Sequence, residues 1–155
     1  MKYETSIDID ADPQRIWGIL TDVEHWPEWT ASVVRVERVS SEPFSIGSRI
    51  LIKQPRLRKA IWTVIALEPL VEFTWKSTMP GLTTIGSHRL EQRASGTMTV
   101  TLSIDQRGAL APAIGLFVSR MTRRYMDYER RGLKARSEAE PSGIDHASTE
   151  ADAGQ

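Results

Sequence analysis

The chain contains no cysteine. That excludes disulfides, thiolate metal ligands and a cysteine nucleophile. Histidine is scarce. His25, His88 and His146 are the only three, and none stands at the close helical spacing of a zinc site, so no metal is expected. Long apolar runs are also missing. No stretch approaches the roughly 20 residues that span a bilayer, and Met1-Lys2-Tyr3-Glu4-Thr5-Ser6 lacks the apolar run of a secretory signal. These absences predict a cytoplasmic protein without an integral membrane segment. There is no Gly-x-Ser-x-Gly elbow, Walker loop or dinucleotide fingerprint, and no cofactor is expected.

Net charge is absent too, with 20 basic and 20 acidic residues, but the charges are unevenly spread. From Ser137 to Gln155 there are five acids (Glu138, Glu140, Asp145, Glu150, Asp152) and no Lys or Arg. The remaining body is only mildly basic, which argues against a nucleic-acid partner. The same stretch has a single large aliphatic residue, Ile144, and cannot bury enough surface to offset its ordering entropy. The expected organisation is one domain over residues 1–136 and an acidic disordered tail over 137–155.

What is present is strongly patterned. Tyr3, Thr5, Ile7 and Ile9 alternate with polar residues, as in a strand with one covered face. Asp12-Pro13 reads as an N-cap with proline at the first helical position. Ile16, Trp17 and Leu20 then share one side of a helix. Asp22 is suited to capping a second short helix that carries Trp26, Pro27 and Trp29. Six segments of period two follow, between Val33 and Ile104, broken by Gly47, Pro55, Pro69, Pro80-Gly81 and Ser95-Gly96. Leu110, Ile114, Phe117, Met121, Tyr125 and Tyr128 form one apolar stripe on a final helix reaching about Arg136. Its other side carries Arg120, Arg123, Arg124, Arg130, Arg131 and Lys134. Those cations suit the negative end of the helix dipole, or anionic lipid. Short turns between consecutive strands predict antiparallel pairing, with the long helix covering one face of a curved sheet.

Particular segments carry a resemblance. They are Ala11-Asp12-Pro13 with Trp17, Asp22-Val23-Glu24-His25-Trp26-Pro27-Glu28-Trp29, Gly47 with Ile52-Lys53-Gln54-Pro55, Trp62 with Leu67-Glu68-Pro69, Phe73-Thr74-Trp75, and His88. Together they resemble the polyketide cyclase/dehydrase branch of the START-like superfamily, which shares the helix-grip fold of the birch-pollen allergen. The resemblance covers residues 1 to about 137. It implies an α+β helix-grip fold: a curved seven-stranded antiparallel sheet around a long C-terminal helix, with two short helices between strands 1 and 2. It also implies a cavity between the sheet and that helix.

Strand parity nominates the cavity walls: Gln54, Trp62, Phe73, Trp75, His88 and Leu90 from strands, and Phe117, Met121 and Tyr125 from the helix stripe. Trp26 and Trp29 would stand near the mouth. Gly86 would leave room beside His88. An imidazole in an apolar cavity can orient a carbonyl or move a proton near neutral pH, so His88 and Tyr125 are the candidate catalytic residues. Ser87 and His88 point to opposite faces and cannot act on each other. Glu72 and Glu91 have outward parity, and His25 belongs to the surface.

Three functions compete: binding of a small hydrophobic molecule, a cofactor-independent cyclase or dehydratase, and an interaction module with a vestigial cavity. Enzymes of this kind need at least two placed acid–base groups, and parity offers one histidine and a tyrosine. Binding is therefore the leading expectation, by a monomer or homodimer.

Overall fold

A computed structural model describes residues 1–40 and 42–139. Strand β1 (Lys2–Ile9) leads into helix α1 (Pro13–Thr21), a 3-10 turn (Val23–His25) and the single turn α2 (Trp26–Trp29). Six strands follow: β2 (Arg35–Arg38), β3 (Arg49–Lys53), β4 (Ala60–Glu68), β5 (Glu72–Met79), β6 (Leu82–Gln92) and β7 (Met98–Arg107). The long helix α3 spans Ala111–Glu138, two residues past the expected end. The expected acidic tail beyond Ala139 lies outside the described residues.

Local chemistry sets the element ends. The Asp12 carboxylate accepts from the Gln14 N–H at 2.9 Å, and Pro13 opens α1, where its missing N–H costs nothing. Asp22 ends α1 through its own N–H on the Gly18 carbonyl. It does not cap the next turn with its side chain. Its carboxylate instead takes His25 Nδ1 at 2.8 Å. The far end of α3 is closed from α1: Arg15 donates to the carbonyls of Ser137 and Ala139, each at 2.7 Å. A guanidinium there meets both the orphan carbonyls and the negative end of the dipole.

All strand pairs are antiparallel, in the order β1-β7-β6-β5-β4-β3-β2. A bulge between Val64 and Ala66 bends β4. It keeps Val64 opposite Trp75 and Leu67 opposite Phe73 on one face. With the long helix lying along this sheet, the fold is the helix grip.

The interior is solid at one end only. Ile9, Ile16, Leu20, Val23, Phe73, Val100 and Leu133 are fully buried together, where α1 and the last turns of α3 meet the sheet. Trp26 belongs to the same cluster, and its indole N–H donates to the Leu20 carbonyl at 3.1 Å. Gly132 allows α2 to rest on α3. A Cβ there would collide with the Trp29 carbonyl oxygen, a backbone atom that cannot swing aside.

Candidate ligand cavity

Helix α3 lies closest to β1, β7, α1 and α2; β3, β4 and β5 are not among its close neighbours. A hollow of about 690 Å³ remains between those strands and the stretch of the helix from Ile114 to Glu129. From α3, Ile114, Val118, Met121, Thr122, Tyr125, Met126 and Glu129 face it. These recur at spacings of three and four, so one helix face supplies the whole wall.

Trp26, Gln54, Trp62, Trp75, His88, Met121 and Tyr125 line this hollow. Trp75 is the hub of the indoles, with ring centres 5.3 Å from both Trp26 and Trp62. Four nominated residues lie elsewhere. Phe117 is 83% exposed on the outside of α3. Ile114, Met121 and Tyr125 of the expected stripe face the hollow, but Val118 takes the inward place that the stripe gave to Phe117. Trp29 packs against Trp26 and the Gly132 turn of α3, not at a mouth. Phe73 is fully buried, stacked on His88 at 4.3 Å between ring centres. Leu90 is buried in the packed end. Gly86 gives its space to the Trp75 indole, whose Nε1 would lie 2.8 Å from a Cβ at that position.

Glu129 is the residue that sequence reasoning missed. Its Oε1 lies 2.6 Å from His88 Nε2, with side chains 16% and 6% exposed. With Glu129 ionised, the carboxylate accepts and the proton sits on Nε2. His88 Nδ1 is buried and has no partner among the described residues. The signal was available, because Glu129 follows Tyr125 by four residues and Met121 by eight. Gln106 was also missed. It extends the parity of Leu102 and Ile104 by one step, lines the cavity, and holds a buried Oε1 without a partner among the described residues. The Tyr125 hydroxyl is engaged: it donates to the Pro55 carbonyl and so ties the β3–β4 loop to α3. That loop brings Arg56, Arg58 and Lys59 to the cavity. Arg56 sits at φ 62, a left-handed conformation that side chains rarely adopt.

Much of the basic side of α3 is paired. Asp127 holds Arg130 at 2.5 Å and Arg131 at 3.0 Å, and Glu138 holds Lys134 at 2.7 Å. The Lys134 ammonium and the Asp10 N–H together hold the Glu138 carboxyl below its ordinary pKa. Among the described residues no three metal-ligating side chains cluster, and no helix is long and apolar enough to cross a membrane.

A curved antiparallel sheet gripping one long helix around an apolar hollow defines a START-like protein. The chain belongs to the polyketide cyclase/dehydrase and lipid transport family, whose model matches residues 1–138. It is similar to an uncharacterized protein of Mycobacterium tuberculosis, 21% identical over 142 residues, covering 86% of this chain and 85% of the other. A START superfamily protein of Mycobacterium smegmatis superposes with a TM-score of 0.71 at 13% identity, covering 88% of this chain and 97% of that one. The Zhui aromatase/cyclase of Streptomyces sp. R1128 superposes with a TM-score of 0.72 at 15% identity, covering 89% and 93%. At those identities the two structures share the fold alone with this chain.

Proposed function

We propose that the protein binds a small hydrophobic molecule, a lipid, a polyketide-like chain or an aromatic compound, in the hollow between the sheet and α3. The observation that carries this reading is the hollow itself. Its volume of about 690 Å³ is that of a small-molecule site, and Trp26, Trp62, Trp75 and Met121 give it apolar walls. Indoles present large rigid faces at little entropic cost. Among its polar lining groups, Gln54, Gln106 and the His88–Glu129 pair supply hydrogen bonds that orient a ligand. The family description, which includes lipid transport, supports the same reading. The test is uptake of a solvatochromic fatty-acid or naphthalene dye, displaced by larger apolar molecules. Met121→Trp narrows the hollow at its helix wall and is expected to weaken uptake while the fold persists. No uptake by the wild-type chain across lipid and aromatic panels would end the proposal.

One observation favours a second reading, a cyclase or dehydratase: the close His88–Glu129 contact inside the hollow. In a dehydration, a base takes the proton from the carbon beside a carbonyl. An acid delivers a proton to the departing hydroxyl, which leaves as water. A histidine and a carboxylate can divide those duties. Glu129→Gln is expected to stop turnover of a β-hydroxy ketone while dye uptake persists. Unchanged turnover in that variant would remove the pair from the chemistry.

A further inference from the structure

Leu116 and Phe117 are 77% and 83% exposed, side by side on the outer surface of α3. Adjacent large apolar side chains form a patch, and an apolar patch rimmed by polar residues marks an interaction surface. Their neighbours favour a cover. Arg120 lies four residues after Leu116 and three after Phe117, and Arg124 lies four further on, so all four share one helix face. Neither arginine pairs with a carboxylate among the described residues, in contrast to Arg130 and Arg131 further along the helix. Two more cations, Arg56 and Arg58, stand on the loop that Tyr125 ties to α3, and they too lack an acidic partner among the described residues. The apolar rim continues past the helix start. Leu110 packs on Gly81 in the β5–β6 turn, and Met79, beside that turn, is both half exposed and part of the cavity lining.

We propose that this face docks on an anionic lipid bilayer. Leu116 and Phe117 enter the boundary between headgroups and acyl chains, and Arg120, Arg124, Arg56 and Arg58 meet the phosphates and carboxylates above it. An interfacial helix uses this division, with apolar residues below and cations level with the headgroups. An acidic protein partner would answer the cations but give the two exposed apolar side chains no medium to enter.

The test is co-sedimentation of the full chain with vesicles of phosphatidylcholine alone and of phosphatidylcholine containing phosphatidylserine, at low and high salt. Binding is expected to the anionic vesicles only, and to weaken with salt. The pair Leu116→Ser and Phe117→Ser is expected to lower affinity about tenfold or more. Each of Arg120→Gln and Arg124→Gln is expected to lower it about fivefold. All these positions are exposed, so the variants keep the fold and their dye uptake from aqueous solution. Met121→Trp is expected to do the opposite, weakening uptake and keeping vesicle binding, so failure of docking and failure of the cavity reading are distinguishable. Absence of wild-type binding to anionic vesicles would overturn the proposal. So would binding that survives both serine substitutions, because a purely electrostatic surface fits an acidic protein instead.

Discussion

Replacing His88 and Glu129 by apolar residues, singly and together, separates a pair kept for the fold from a pair kept for chemistry. The contact is 2.6 Å, and neither side chain has much water to fall back on. Glu129→Leu strands Nε2 beside an Nδ1 that already has no partner among the described residues. Leaving a buried donor unmet costs about 1–3 kcal/mol. His88→Phe keeps an aromatic ring against Phe73 but leaves the carboxylate partly buried and unpaired, at a cost of about 1–3 kcal/mol or more. The double variant removes both polar groups at once. Apolar replacement of a buried pair is often neutral or stabilising, so the double variant is expected within about 1 kcal/mol of wild type. The cycle then yields a coupling of about 2–6 kcal/mol, close to the sum of the two single losses. Urea unfolding followed by tryptophan fluorescence measures it, since Trp26 and Trp75 lie 5.5 and 5.6 Å from the imidazole. Single variants as stable as wild type, with coupling below about 0.3 kcal/mol, would refute the contact. A double variant as weak as either single one would show that the pair holds the fold, and the chemical reading would lose its reason.

Gly132→Ala is expected to destabilise the protein by about 2 kcal/mol in urea. Overpacking of α3 against the Trp29 backbone outweighs the roughly 1 kcal/mol of helix propensity that alanine gains, and an unchanged midpoint would contradict that close approach. His25 is expected to titrate above its ordinary value by NMR, because the Asp22 carboxylate accepts its proton and adds a favourable charge. Its small stabilisation is therefore present below the ordinary histidine pKa and lost as pH rises through the raised one, and Asp22→Asn should bring the titration back down. Glu138 has the opposite sign. Its lowered pKa means that its contribution is present above the ordinary glutamate value and lost as pH falls through the depressed one. The stability gap between wild type and Glu138→Gln should therefore close in acid, and a gap that persists would rule out the Lys134 and Asp10 contacts as its source.

The sheet was legible because period two survives wherever one face is covered. Tyr3, Thr5, Ile7 and Ile9 kept their parity from sequence to structure, and so did Phe73 and Trp75. The cap at Asp12 was legible because its chemistry is local. The phase of α3 was not, and the reason is tertiary. A helix over a packed core shows water a clear polar side. This one lies along a hollow whose wall includes Thr122 and Glu129, while Leu116 and Phe117 face outward. Hydrophobicity alone therefore pointed the stripe at Phe117 and passed over Glu129. Leu90 and Phe73 carried the right parity, but parity names a face and not a depth along it. Only the position of the short helices decides which inward residues are packed and which are left bare.

That division places the polar pair. Along α3, Tyr125 and Glu129 face the hollow, while Leu133, one turn on, is fully buried in the packed end. Along β6, Thr84 and His88 border the hollow, while Leu90 belongs to the packed end. The two elements pass from void to core at the same level, and His88 and Glu129 meet there with Trp26 against the imidazole. The pair is the floor of the cavity, and Arg56 and Arg58 stand on the β3–β4 loop that borders it. A carrier needing only greasy walls gains nothing from an imidazole and a carboxylate at its deepest point, where each must be desolvated. Their presence there gives the floor a directional hydrogen-bonding group, so a ligand that enters with its polar end first is held differently from one that enters tail first. Displacement of the same dye by a fatty alcohol and by the alkane of equal length should therefore differ, and His88→Phe with Glu129→Leu should erase the difference.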